Sequence, residues 1–264
     1  MTRIIKLLLY YFAYQLAFSG VFTIGYMLVC GLNRMPMVSD PGFMSVSIAA
    51  QVLATIGIGI HLVWGKYASL QGRVRSVRPV LLYLAAAVFI VSMGCWTNYV
   101  NELLHLPDNM GEVLDAMLNH PLGIFSIVVL APVVEELLFR GGIQGYLVRH
   151  WQHPARSIVV SSLIFGAVHG NPVQIPFAFV TGLALGWMYY RSGSLWPGIW
   201  MHFLNNGSSV LLYHLADNPD ATVQEMLGSA PALALAVGGL AATVACIWLI
   251  RQKLTLQPPT GALE

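Results

Sequence analysis

The chain has 264 residues, 57% of them hydrophobic and 9% charged, with a formal net charge of +2 and a mean hydropathy of +0.69. A soluble globular domain carries roughly 25% charged residues, so this composition excludes such a domain and describes a polytopic membrane protein. A net charge this small also argues against nucleic acid as a partner.

Taken in order, the apolar segments predict an all-α chain of about eight transmembrane helices around a buried catalytic cavity. The first follows Arg3 and Lys6 and runs over 7–29. It lacks a short apolar region ending in a small-residue cleavage site, so it reads as a retained signal anchor. Further spans are expected at 44–65, 79–98, 121–148, 157–170, 174–190, 194–213 and 230–250. The fifth and sixth are short and are joined by a tight turn at Gly170-Asn171-Pro172.

Charge tests this order, because Lys and Arg gather in loops that stay in the cytoplasm. With the amino terminus inside, the inner segments hold Arg3, Lys6, Lys66, Arg73, Arg75, Arg78, Arg149, Arg156, Arg191, Arg251 and Lys253, and only Arg34 falls outside. Asp40, Glu102, Asp108, Glu112, Asp115, Asp217, Asp220 and Glu225 all fall in outer segments. Both termini are therefore expected in the cytoplasm, with the chain in the plasma (inner) membrane. The outer segment 98–120 reads as a solvated acidic loop. The basic loop 66–78 reads as topology and lipid-headgroup contact.

No repeat or soluble domain is visible, so one membrane domain is expected, with amino-terminal helices over 1–120, a catalytic core over 121–213 and a last helix with its tail over 214–264. Cys30, Cys95 and Cys246 are widely spaced in apolar surroundings and read as small buried residues. Gly166/Gly170 and Gly182/Gly186 recur at four-residue spacing, which lets helix backbones approach closely in lipid.

The polar residues inside the spans define a candidate site. Glu135, Glu136 and Arg140 interrupt the fourth span, where a charge at the bilayer centre costs roughly 2.5–3.5 kcal/mol. On a helix Glu136 and Arg140 stand at i,i+4 and can pair, while Glu135 points about 100° away. His169 lies in the fifth span, and His202 and Asn206 share a face of the seventh. Counted at 1.5 Å per residue from the nearest inner basic residue, Glu135, His169, His202 and Asn206 fall at depths of about 16–22 Å.

A carboxylate in a low-dielectric site becomes a usable base, so Glu135 and His169 could together activate a water. His202 and Asn206 would then donate hydrogen bonds to a tetrahedral oxyanion. Two His and one Glu are also the ligand set of a catalytic zinc, in which case Glu135, His169 and His202 would hold the ion. The sequence leaves both chemistries open.

Glu135-Glu136-x-x-x-Arg140, Phe165-x-x-x-His169 and His202-x-x-x-Asn206, in this order and in apolar spans, resemble the three motifs of the CPBP family. That family comprises the CAAX proteases, including type II CAAX prenyl endopeptidases, and the bacteriocin-processing enzymes called Abi. The resemblance covers roughly 121–212, and the compact chain with short loops resembles a bacterial member. It implies an intramembrane endopeptidase, of glutamate-dependent or metalloprotease type, acting on a membrane-embedded or lipidated peptide or protein. Glu135 would be the base, His169 its assistant, His202 and Asn206 the oxyanion site, and Glu136 and Arg140 the support of the motif helix.

Two other functions are compatible with the same residues. One is a non-catalytic bacteriocin-immunity or membrane-peptide-binding protein on this scaffold. The other is a proton-coupled transporter, since buried Glu and His also form proton relays, although the paired discontinuous helices of such folds are not apparent.

Overall fold

A computed structural model describes residues 2–31, 35–36, 39–216, 218 and 221–254. Every regular element among the described residues is helical. In chain order these are α1 (Thr2–Cys30), α2 (Pro41–Trp64), α3 (Pro79–Leu104) and α4 (Gly111–Leu118), then α5 (Pro121–Trp151), α6 (Pro154–Ala167) and α7 (Ile175–Ser192), and finally α8 (Trp196–Leu215), α9 (Val223–Leu227) and α10 (Ser229–Leu254).

The helix ends follow from local chemistry. Pro41, Pro79, Pro121 and Pro154 each open a helix, a position whose N–H would have no intrahelical partner in any case. Asp40 caps α2 by accepting from the Gly42 and Phe43 amides at 2.9 and 3.2 Å. Gly193, at φ 67°, ends α7 in the left-handed conformation, which glycine adopts without steric cost.

The expected spans correspond to α1, α2, α3, α5, α6, α7, α8 and α10, with ends shifted by a few residues. Among the described residues, five helices are long and apolar enough to cross a membrane: α1, α2, α3, α5 and α10. α6 is apolar but has only 14 residues, a rise of about 21 Å against a hydrocarbon layer of about 30 Å. α8 carries His202, Asn205, Asn206, Ser208 and Ser209. The segment 98–120 is not all loop, since α3 continues to Leu104 and α4 buries Met117 and Leu118. Arg34, Asp217 and Asp220, assigned to outer segments above, lie outside the described residues.

Two cores hold the helices together. In the first, Leu138, Phe139 and Ile143 of α5 pack with Leu7 of α1, Ile58 and Leu62 of α2, Phe165 of α6 and Ile199 of α8. In the second, Leu82, Phe89 and Met93 of α3 pack with Leu185 and Met188 of α7, Met201 of α8 and Ile250 of α10. α7 and α8 thus contribute to both cores, with α5 on one side and α3 with α10 on the other.

Lipid supplies no hydrophobic drive between helices, so close backbone approach and polar contacts matter more. Thr243 of α10 meets the Ser92 hydroxyl at 3.2 Å and accepts from Trp96 Nε1 at 3.3 Å. Three of the four glycines singled out by spacing are at such approaches. A Cβ on Gly166 would lie 2.9 Å from the Ile175 carbonyl, on Gly182 3.0 Å from Ser162 Cβ, and on Gly186 2.6 Å from Gln144 Oε1. Gly170 has open space around it and instead makes the turn after α6, at φ 66°.

Candidate active site

α5 is one continuous helix with two stretches of i→i+5 (π) hydrogen bonding, Ser126–Leu130 and Glu136–Gln144. Such stretches are rare and concentrate at functional sites. Pro132 explains much of the first. The Ala131 amide bonds back to the Ser126 carbonyl and Pro132 has no N–H to give, so the Ile127 carbonyl loses its intrahelical donor. Asn206 Nδ2 of α8 fills that vacancy at 2.8 Å, and Asn206 Oδ1 accepts from Asn205 Nδ2 at 3.1 Å.

The second stretch begins immediately after Glu135. Glu135 and Glu136, about 100° apart around the helix, meet opposite nitrogens of one imidazole. His202 stands between them, with Nδ1 3.3 Å from Glu136 Oε1 and Nε2 3.7 Å from Glu135 Oε2. A carboxylate is an acceptor, so each ring nitrogen of His202 faces a group to which an N–H can donate, the nearer being Glu136.

The two carboxylates differ in setting. Glu136 is fully buried and ion-paired with Arg140 Nη1 at 2.9 Å, as the i,i+4 spacing predicts, whereas Glu135 retains 20% side-chain exposure. Arg140 is itself fixed. Its Nη2 donates to the Gly182 carbonyl at 3.2 Å, and its guanidinium lies over the Phe165 ring at 4.4 Å.

Phe165 is the hub of the site. Besides Arg140, its ring meets the imidazoles of His169 and His202 edge-on, at 5.0 and 5.8 Å between centroids. His169 Nδ1 donates to the Phe165 carbonyl at 2.8 Å, which leaves Nε2 as an acceptor. Among the ion pairs of the described residues, Glu135 meets His202 and not His169.

Gln144 was missed by sequence reasoning. It is fully buried and donates Nε2 to the Gly186 carbonyl at 2.8 Å. Glu136, Arg140 and Gln144 succeed each other at four-residue spacing, and Arg140 and Gln144 bond carbonyls on α7 that are also four residues apart. That doubled spacing was the available signal.

The zinc set does not assemble. Among the described residues no three of His, Cys, Asp and Glu are gathered so as to hold a metal ion. A cavity of about 700 Å³ does not have His202 in its wall either. It lies further along α5, where Gly141 and Arg149 form part of its wall.

Comparison with known proteins bears on this geometry. Residues 117–208 match the family described as type II CAAX prenyl endopeptidase Rce1-like. The chain is also similar to the Bacillus subtilis (strain 168) protein named "Putative membrane peptidase YdiL", at 26% identity over 147 residues. That stretch is 54% of this chain and 60% of the relative, so the chain spans somewhat over half the length of the curated relative it matches. No solved structure matches. The likeness to the CPBP family of membrane proteases carried by the three motifs is thus shown over residues 117–208, the segment that holds Glu135, Glu136, Arg140, His169, His202 and Asn206.

Proposed function

We propose that the chain is an intramembrane endopeptidase that hydrolyses a peptide bond in a membrane-embedded or lipidated peptide or protein. The observation that carries this reading is the placement of two carboxylates on the two nitrogens of His202, one buried against Arg140 and one partly exposed. The buried half orients the imidazole. The exposed half is available to chemistry.

With the His202 proton on Nδ1 toward Glu136, a water within about 2.8 Å of both Glu135 Oε2 and His202 Nε2 would face two acceptors, and proton transfer to such positioned bases contributes roughly 10²–10⁴-fold in rate. The water oxygen adds to the scissile carbonyl as its proton passes to the Glu135–His202 pair. The C–N bond then breaks as that proton is delivered to the leaving amine. Asn206 keeps one amide N–H beyond the one bonded to Ile127, and that donor suits the oxyanion. His169 Nε2 is a second acceptor at the site's edge.

No step runs through a metal, so cleavage is expected to survive treatment with a zinc chelator. Loss of activity on chelation, restored by added zinc, would contradict this. We further propose that the end of the bundle carrying Arg3, Lys66, Arg75 and Arg149 faces the cytoplasm of a plasma (inner) membrane, as the distribution of charge supports.

The test is mass-spectrometric detection of products from a panel of prenylated and unmodified membrane peptides, incubated with purified wild type and Glu135→Ala in liposomes. Cleavage by wild type alone is expected. If folded wild type binds panel peptides and cuts none, and Glu135→Ala preserves its cellular phenotype, the protein is a non-catalytic binder or immunity protein.

A further inference from the structure

No step of the proposed reaction uses α1, yet α1 passes close to Glu135. Two contacts set its register against α5. The Arg3 guanidinium lies 5.5 Å from the Tyr146 ring centroid, and a Cβ on Gly142 would meet Leu7 Cδ1 at 3.1 Å. Four residues forward along α1 thus correspond to four back along α5, so the two helices run antiparallel with facing stripes. The next step along the same stripe sets Tyr11 opposite Leu138, one turn from Glu135. Leu138 is fully buried, and Tyr11 packs, partly buried, against the core to which Leu138 and Val134 belong. The Tyr11 hydroxyl stands within electrostatic reach of the Glu135 carboxylate.

The fold makes no other use of this phenol. Tyr14 on the same helix bonds His61 Nδ1 at 3.2 Å, and Tyr26 donates to the Asp40 carboxylate at 2.9 Å. The Tyr11 ring meets Phe12 edge-on at 5.4 Å between centroids, but among the described residues its hydroxyl has no hydrogen-bond partner. A buried tyrosine hydroxyl usually finds one. One that lies near a reactive carboxylate without bonding it is available to a third group.

The hydrolysis contains such a group. A water held by Glu135 adds to a carbonyl carbon about 3–3.5 Å away, and the carbonyl oxygen, as it becomes anionic, needs donors at about 2.7–3.1 Å. Such a donor stands near the base and does not touch it, which is the relation of Tyr11 to Glu135. A phenol also keeps its proton at neutral pH, so its O–H is there to donate.

We propose that Tyr11 is a further catalytic residue, whose O–H donates a hydrogen bond to the scissile carbonyl oxygen as the water adds. The bond strengthens while the C=O π electrons move onto oxygen and relaxes when the carbonyl re-forms and the C–N bond breaks. Tyr11 keeps its proton throughout. This role rests on the endopeptidase reading and gives the reaction a contribution from α1, outside the segment 117–208 that matches the protease family.

The experiment compares wild type, Tyr11→Phe and Tyr14→Phe, each as the full chain in liposomes. It measures the single-turnover cleavage rate at saturating peptide, the Kd of that peptide, and the Kd of a phosphonamidate analogue, a tetrahedral anion at the scissile position. Tyr11→Phe keeps the ring, so peptide affinity and unfolding midpoint should not change. Its rate should fall about 10²-fold, and the phosphonamidate should bind more weakly by a similar factor. Tyr14→Phe removes a hydroxyl of the same helix that is engaged with His61 and should leave the rate unchanged. Placing 4-aminophenylalanine at position 11 retains both ring and donor and should keep the rate within about ten-fold of wild type, which tests the role even if Tyr11→Phe misfolds. The proposal is overturned if Tyr11→Phe cleaves at the wild-type rate, if it weakens peptide and phosphonamidate binding equally, if Tyr14→Phe is as slow, or if the 4-aminophenylalanine protein loses the rate. In each of these cases wild type still cleaves and the endopeptidase reading stands. If wild type cleaves no peptide and binds the phosphonamidate no more tightly than the peptide, that reading fails and the role of Tyr11 with it.

Discussion

Glu135 and Glu136 are adjacent in sequence and meet the same imidazole, yet Glu136 is fully buried and Glu135 partly exposed, and the proposed reaction gives them different work. Glu135→Gln should abolish detectable cleavage, a loss of about 10²–10⁴-fold, with an unchanged unfolding midpoint. Arg140→Met leaves the Glu136 carboxylate buried without its cation, and breaking a buried pair in this way costs about 3–5 kcal/mol. Equilibrium unfolding in mixed micelles should register that loss, and a shift of less than about 1 kcal/mol would show that Glu136 finds another partner. Gly198 offers a subtler handle, because a Cβ there would stand 2.9 Å from Glu136 Oε2. Gly198→Ala should lower the turnover rate, with a smaller effect on stability than Arg140→Met. The Glu136–Arg140 pair was legible in the sequence because i,i+4 contacts depend only on helix geometry. The partner of Glu135 was not, because His202 lies on another helix 67 positions further along the chain and residue spacing within α5 does not reveal it.

At the scale of elements, α5 and α8 are coupled through a proline. Pro132 withholds the N–H that the Ile127 carbonyl needs, and Asn206 supplies a substitute from α8. Removing that bond with Asn206→Leu should destabilise the protein by about 1 kcal/mol, since a partly buried acceptor loses its donor. In a Pro132→Ala background the helix can satisfy its own carbonyl, and the same substitution should have a smaller effect. A double-mutant cycle measures the difference, and full additivity would show that the proline and the amide are unrelated. The sequence placed Asn206 on the same face as His202 but gave no sign of this structural task, because the orphan carbonyl belongs to another helix 79 residues away. At the start of α2, amide donation from Phe43, with the Tyr26 hydroxyl, holds the Asp40 carboxyl below its ordinary value. The cap's contribution is therefore present above the ordinary carboxylate range and lost as pH falls through the lowered value. Hydrogen exchange in the first turn of α2 should accelerate only at that lower pH, and acceleration beginning at about pH 4–5, near the ordinary range, would contradict the assignment.

At the scale of the whole molecule, five of the eight apolar segments read from hydropathy form, among the described residues, helices long and apolar enough to cross a membrane, because apolar run length governs where a chain can enter lipid. What hydropathy could not rank is which of them form the centre. The three that fall short as independent spans, α6, α7 and α8, carry Phe165, His169, Gly182, Gly186, His202 and Asn206. Short or polar helices can occupy that position because the five longer apolar helices are available to face lipid. The structure therefore concentrates polar chemistry in helices that depend on their neighbours, around a Phe165 ring that touches Arg140, His169 and His202 together.

In the proposed reaction Glu135, beside an imidazole oriented by Glu136, is the base of a peptide hydrolysis. The most direct measurement is the single-turnover cleavage rate of one membrane peptide by wild type, Glu135→Gln and Glu136→Gln, each with its unfolding midpoint recorded in the same preparation. Glu135→Gln should lose the rate and keep the midpoint, whereas Glu136→Gln should lose part of both. Cleavage by Glu135→Gln at the wild-type rate would contradict that reaction.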